Sequence, residues 1–308
     1  MVLSVFAHAA QRELYKLPVG YSPISGATLP FFITLEERLF QKHGLEVVPI
    51  FFGGSPLINA AIIAGEFPIG ISSGGAIISS RLGGSDITSI GSYLQVLTID
   101  LWVKPEIKSP AGLKGARIAI TRFGASTHFA GLSTLEWAGL KRADVIFIQA
   151  GGVGESMAAL FSGRVDGAMI GYPFGLRAKK EGFRLLFQPS ATEYGLFPTT
   201  AIAARRGWFA DPGNRRVAVS FLSAVSEGTL LAKNDAAVSK KALRKYTRVQ
   251  VDAELQGTFE LYGPHFSPTL KTLEKAMANA LKFLDHPKAK QAVARDFFDN
   301  SLVEEAGR

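Results

Sequence analysis

Cysteine is absent from the 308-residue chain. That excludes disulfides, thiolate metal sites, iron–sulfur clusters and a cysteine nucleophile, and it leads us to expect no lipid anchor. No stretch offers about 18 uninterrupted apolar residues, so no membrane span is expected. Histidine is also scarce. The five (His8, His43, His128, His265 and His286) show no metal-ligand spacing such as H-E-x-x-H, so no metal is expected. There is no G-x-S-x-G elbow and no G-x-x-x-x-G-K-[ST] phosphate loop. The segment Gly151-Gly152-Val153-Gly154-Glu155-Ser156 lacks the third glycine of a dinucleotide turn. No catalytic residue and no cofactor are therefore assigned.

What is present is globular: 47% hydrophobic and 19% charged residues, with 32 glycines and 15 prolines. The length suits two lobes of about 100–200 residues each. The formal charge of +8 comes from scattered Lys and Arg. The densest group, Lys240, Lys241, Arg244, Lys245 and Arg248, has the spacing of a solvated helix face. With no nucleic-acid motif, no nucleic-acid partner is expected. At the N-terminus an apolar run, Val2 to Ala7, leads into Ala7-His8-Ala9. We read residues 1–10 as the remnant of an export signal with its A-x-A cleavage site.

The chain then alternates. Residues 17–22 read as a strand, 27–44 as a helix closed by Gly44, and 45–52 as a strand. A glycine turn and a helix with Pro56 in its first turn follow at 53–66, then a strand at 67–74. This βαβαβ order implies a largely parallel sheet flanked by helices. The order recurs 98 residues later without a gap. Gly26-Ala27 falls on Gly124-Ala125, Gly53-Gly54 on Gly151-Gly152, Ala60-Ala61 on Ala158-Ala159 and Gly65 on Gly163. The matches cluster at turns and helix faces, where the backbone is demanding. We read two lobes of one architecture facing each other. Beyond Thr200 the chain reads as helices (214–233, 235–246, 252–262 and 269–285) that pad the first lobe.

In open α/β sheets, ligands bind beyond the carboxyl ends of the strands. That rule selects the turns carrying Ser25, Gly26 and Thr28; Gly54 and Ser55; Ser73 and Gly74; Ser126, Thr127 and His128; Glu155; and Tyr172. Helix starts there offer unpaired N–H donors and the positive end of the helix dipole, enough for an anionic or polar group without a cation. Each has an ordinary alternative: a Gly-Ser/Thr turn as a helix cap, His128 as packing, Glu155 as a residue favoured by the dipole, and Tyr172 as a seal over the lobe. Arg122 is the cation beside the second-lobe turn, facing either the cleft or solvent.

The chain resembles the periplasmic substrate-binding proteins of ABC importers, in the NMT1/THI5-like and aliphatic-sulfonate/nitrate/taurine-binding group. The resemblance rests on FFITLEERLFQKHGLEVV, INAAIIAGEFPIGISS, IKSPAGLKGARIAI, SMAALFSGRVDGAMIGYP and AARRGWFADPGNRRVAVSFLSA, in that order and spacing. It implies a type II periplasmic-binding fold: two Rossmann-like α/β lobes with central mixed sheets, joined by two crossing strands near 99–104 and 197–202. Lobe one would comprise residues 11–100 and 201–308, and lobe two 101–200. It further implies a periplasmic, monomeric receptor that closes on a small polar or anionic organic solute (a sulfonate, carboxylate or pyrimidine-like compound) and delivers it to an ABC permease in the membrane. Two alternatives stay open at this point. One is an enzyme on the same fold, in menaquinone- or thiamine-precursor-type metabolism. The other is a solute-sensing accessory domain.

Overall fold

The structure is a computed structural model that describes residues 13–307; the export-signal reading of residues 1–10 lies outside them. The first segment runs β1 (Tyr15–Tyr21), α1 (Leu29–Glu36), α2 (Leu39–Lys42), β2 (Leu45–Phe51), α3 (Ser55–Ala64), β3 (Ile69–Ser72), α4 (Gly74–Leu82) and β4 (Ile87–Val96). The second runs β5 (Ile99–Val103), β6 (Arg117–Ile120), α5 (Ser126–Ala138), β7 (Ile146–Gln149), α6 (Val153–Phe161), β8 (Gly167–Gly171), α7 (Phe174–Lys180) and β9 (Arg184–Phe187). The third is β10 (Leu196–Arg205) followed by α8 (Arg206–Phe209), α9 (Pro212–Asn234), α10 (Ala236–Thr247), α11 (Asp252–Tyr262), α12 (Glu274–Lys282) and α13 (Ser301–Ala306).

These strands build two five-stranded mixed sheets, ordered β2-β1-β3-β10-β4 and β7-β6-β8-β5-β9. In the first, β1 lies parallel between β2 and β3, and β10 runs antiparallel to β3 and β4. In the second, β6 lies parallel between β7 and β8, and β5 runs antiparallel to β8 and β9. The two orders correspond strand for strand, as the 98-residue repeat implies. Each antiparallel strand, β10 in one sheet and β5 in the other, is the one by which the chain arrives from the opposite lobe. The chain leaves the first sheet after Val96 and joins the second at Ile99. It leaves the second after Phe187 and rejoins the first at Leu196. The residues expected to cross thus fall within β5 and β10, and the passages lie just before them.

The third segment packs on the first lobe: α9 against α1, α2 and α13, and α12 against β10 and α4. Two helices differ from the sequence reading. The helix expected over 27–44 breaks at Arg38, whose φ of 55° is left-handed. The break re-aims α2 so that the Phe40 ring stacks on Phe221 of α9 at 5.1 Å. The helix expected to start at Thr269 starts at Glu274, because the preceding backbone bonds elsewhere. Leu270 accepts from the Ser92 amide on β4, while the Thr272 and Leu273 amides donate to the side chains of Asn300 and Gln95. Tertiary partners here override a helical pattern.

Behind the cleft the lobes share apolar packing. Phe129 of α5 lies against Gly75 of α4, where a Cβ would fall 2.2 Å from the ring, and its ring is 4.9 Å from Phe197 of β10.

Candidate functional site

A cavity lies between the lobes at the carboxyl ends of β1, β6 and β8. Lobe one contributes Ser22, Pro23, Ser25, Ala27 and Ser55. Lobe two contributes Thr121, Ala125, Ser126, Thr127, Val153 and Gly171, and the crossing strands add Ile99 and Thr199. The duplication is visible in the lining itself: Pro23 and Thr121, Ala27 and Ala125, and Ser55 and Val153 are each 98 residues apart. The space left for the centre of a water molecule is about 20 Å³, room for one or two waters. The lobes therefore stand closed.

The lining contains no Lys, Arg, Asp, Glu or His. Seven of its thirteen residues are Ser or Thr, but several hydroxyls are already engaged. Ser126 donates to the Thr199 carbonyl at 3.0 Å, Thr199 Oγ1 donates to the Val96 carbonyl at 2.8 Å, and Thr127 Oγ1 pairs with Thr121 Oγ1 at 2.8 Å. Ser25 Oγ accepts from the Ala27 amide at 3.2 Å. Among the described residues, the Ser22 and Ser55 hydroxyls make no hydrogen bond within the protein, so they are available to a guest.

Three helices begin at this cavity: α3 at Ser55, α5 at Ser126 and α6 at Val153. None carries a side-chain cap on its N-terminus. Ser73 caps α4, Asp211 caps α9 and Asp235 caps α10, whereas the other α-helices are uncapped as well; what sets α3, α5 and α6 apart is that all three start at one cavity. First-turn amides have no intrahelical carbonyl. In α3 Pro56 has no N–H and the Leu57 amide donates to the Gly54 carbonyl, and in α5 the His128 amide donates to the Ala125 carbonyl; the remaining first-turn amides lie at one space with the positive ends of three dipoles. Such a space accepts a compact group bearing oxygen acceptors and negative charge.

Of the residues expected at the site, Ser25, Ser55, Ser126 and Thr127 line the cavity. The others do not, and each is held by something else. A Cβ on Gly26 would meet Tyr262 at 2.5 Å, so this glycine admits α11 rather than a solute. Thr28 is buried and donates to the Pro23 carbonyl at 2.6 Å. Gly54 faces Arg122, and Gly74 faces Pro198 and Met277. Ser73 accepts from the Ala76 amide as a cap. Glu155 is exposed, with its carboxylate folded over Gly152.

His128 is buried beneath the α5 turn, among the rings of Phe123, Phe129 and Phe147. Its Nδ1 accepts from the Gly124 amide at 3.2 Å, which leaves the proton on Nε2. Burial, with Arg142 nearby, lowers its pKa to about 4. At neutral pH it is an uncharged wedge that shapes the turn. Tyr172 is also buried, and burial together with Asp100 raises its phenol. Arg122 turns neither into the cavity nor to solvent alone: its Nε donates to the Gly53 carbonyl of the other lobe at 3.3 Å.

The turns carrying Ala27, Ala125, Val153 and Gly171 were legible in the sequence. Thr121, one residue past the end of β6, follows from the strand-end rule. Ser22 and Pro23 stand one and two residues past the end of β1. Ile99 and Thr199 carry no sequence signal, because their place depends on how the crossing strands pass the cleft. Sequence reasoning also missed Asp100, the next residue on β5. It is fully buried and its Oδ1 has no partner. Burial raises its pKa to about 7, and the Tyr172 and Gln188 side chains act in the opposite direction.

The family profile described as NMT1/THI5 like matches residues 27–237. No curated protein matches the sequence. Among solved structures, a Bordetella bronchiseptica RB50 protein is 20% identical with a TM-score of 0.84, over 96% of this chain and 98% of its own. The alkanesulfonate-binding protein SsuA from Xanthomonas axonopodis pv. citri, bound to MOPS, is 20% identical with a TM-score of 0.75, over 96% and 98%. The periplasmic nitrate-binding protein NrtA from Synechocystis PCC 6803 is 13% identical with a TM-score of 0.75, over 96% and 89%. At these identities the likeness shows the fold, which is that of type II periplasmic binding proteins. No helix among the described residues is long and apolar enough to cross a membrane.

Proposed function

From the premise that this chain belongs to the NMT1/THI5-like family, we propose that it is the extracytoplasmic solute-binding receptor of an ABC importer. It closes its lobes on the oxyanion group of a small organic or inorganic solute and presents the closed form to a membrane permease. The observation that carries this reading is the convergence of three uncapped helix starts, α3, α5 and α6, on one cavity without a cation. Backbone donors of this kind suit a sulfonate, carboxylate or nitrate-type group, whose charge is spread over oxygens in hydrogen-bonding geometry. A solute that touches both lobes favours the closed state by its differential contacts. The sulfonate and nitrate binding of the structural relatives points to the same chemistry.

The test is a thermal-shift and calorimetric screen of alkanesulfonates, nitrate, monocarboxylates and pyrimidines on protein stripped of carried solute by unfolding and refolding. A ligand at about 100 times its Kd stabilises the folded state by about 2.7 kcal/mol, a shift of a few degrees for a chain of this size. Binding by an oxyanion series, with no response to the matching neutral amides or alcohols, supports the reading. Preference for neutral solutes, or turnover of a compound in the screen, overturns it.

A further inference from the structure

The turns at Gly53-Gly54 and Gly151-Gly152 are the same turn in two lobes, and they meet. A Cβ built on Gly53 would lie 2.8 Å from the Gly151 carbonyl oxygen. The three nearest atoms beyond its chain neighbours belong to lobe two: Gly151 O and C, and Arg122 Nη2. Gly53 has no left-handed φ to explain its identity, and the nearest obstacle to a side chain there is the carbonyl of the opposite lobe. At Gly54, with φ 135°, the three nearest neighbours are atoms of Arg122, the nearest at 3.3 Å. Pro56 of α3 in turn lies 3.5 Å from the Cβ position of Gly124. Arg122 completes the contact by donating from Nε to the Gly53 carbonyl at 3.3 Å. None of Arg122, Gly53, Gly54 and Gly151 lines the cavity.

We infer that Arg122 and the facing Gly53-Gly54 and Gly151 turns form a clasp that holds the lobes closed without any contact to solute. The inference rests on the two-lobe receptor reading and assigns Arg122 to closure, as a positioning residue acting on solute affinity through the closed population. A polar side-chain-to-carbonyl bond and backbone-to-backbone contact at the mouth stabilise the closed form before a solute contributes. The protein then samples closure when empty, and solute shifts an existing equilibrium. The missing side chain of Gly53 is what lets the Gly151 carbonyl approach, while Gly151 is glycine for its φ of 98°.

The test uses no solute, so its failure is distinguishable from failure of the solute assignment. The chain has no cysteine, so Glu66→Cys with Lys141→Cys attaches two spin labels at exposed sites beyond the far ends of α3 and α5. These ends move apart as the mouth opens. Pulsed electron–electron resonance on the stripped protein is expected to show a short-distance population. Arg122→Ala in that background is expected to lower the closed-to-open ratio about two- to tenfold, the worth of one such hydrogen bond. Gly53→Ala should lower it at least as far, since its methyl group would meet the Gly151 carbonyl across the cleft at 2.8 Å. Both variants should keep the wild-type unfolding temperature to within a few degrees. A wild-type distribution with no short-distance population, or distributions left unchanged by both variants, would overturn the clasp.

Discussion

Asp100→Asn is expected to stabilise the protein, and to do so only as the pH rises. Asp100 sits on β5, fully buried, with Oδ1 unpartnered and Oδ2 accepting from Gln188 Nε2 at a long 3.4 Å. Burial lifts its pKa from 3.8 to about 7. The folded form therefore holds a proton that the unfolded chain releases between about pH 4 and pH 7. The contribution of the protonated carboxyl is fully present below about pH 4 and is lost as pH rises through about 7. At about 1.36 kcal/mol per pH unit, the loss is bounded at about 4 kcal/mol. Asparagine has the same shape, keeps an acceptor for Gln188 and never ionises. Urea unfolding of both proteins at pH 4, 5, 6, 7 and 8 isolates the term, because other titrating groups cancel in the difference. Near pH 4 the two should be within about 1 kcal/mol; by pH 8 the variant should be more stable by about 2–4 kcal/mol. A difference that stays flat across this range, or an Asn variant weaker at pH 8, would refute the reasoning that burial governs this carboxyl.

Asp166 behaves in the opposite sense: hydrogen bonds from Lys104, Arg117 and the Arg117 amide depress its pKa. Asp166→Asn should therefore cost stability above pH 4, by about 1 kcal/mol, with the difference fading as acid protonates the wild-type carboxylate in urea titrations. Gly26→Ala should lose about 1–3 kcal/mol by equilibrium unfolding, since its methyl meets Tyr262 and Thr258 at 2.5–2.7 Å. Phe129→Ala, deep in the packing behind the cleft, should lose about 3–5 kcal/mol. Ser55→Ala should weaken binding of whichever oxyanion the calorimetric screen selects by about two- to tenfold while leaving the unfolding midpoint nearly unchanged, because the Ser55 hydroxyl makes no hydrogen bond among the described residues.

Much of the fold was written in local pattern. Alternating strands, glycine turns and the 98-residue offset dictate two βαβαβ units, because turn glycines and helix faces depend on short-range backbone geometry. The same grammar located the cavity, since strand ends and helix starts are properties of single segments. It placed Ser25, Ser55, Ser126 and Thr127 at turns that line the cavity. It could not separate them from Gly26, Gly54 and Gly74, which look alike in sequence; Gly26 and Gly74 are glycine because α11 and Pro198 approach them, and Gly54 because its φ is 135°. Arg38 and Leu273 show the same limit, with helical pattern yielding to an aromatic seat and to side-chain acceptors far along the chain.

By itself the sequence determined the duplicated architecture, the absence of thiol chemistry, and a set of strand-end turns with donors to offer. Only the tertiary structure decided which donors face one another and that no cation joins them. It also showed that Arg122 spans the lobes and that a carboxyl at position 100 is sealed from water. The reason is physical: periodicity and turn chemistry act over a few residues, whereas burial, approach distance and dipole convergence depend on segments brought together across roughly a hundred.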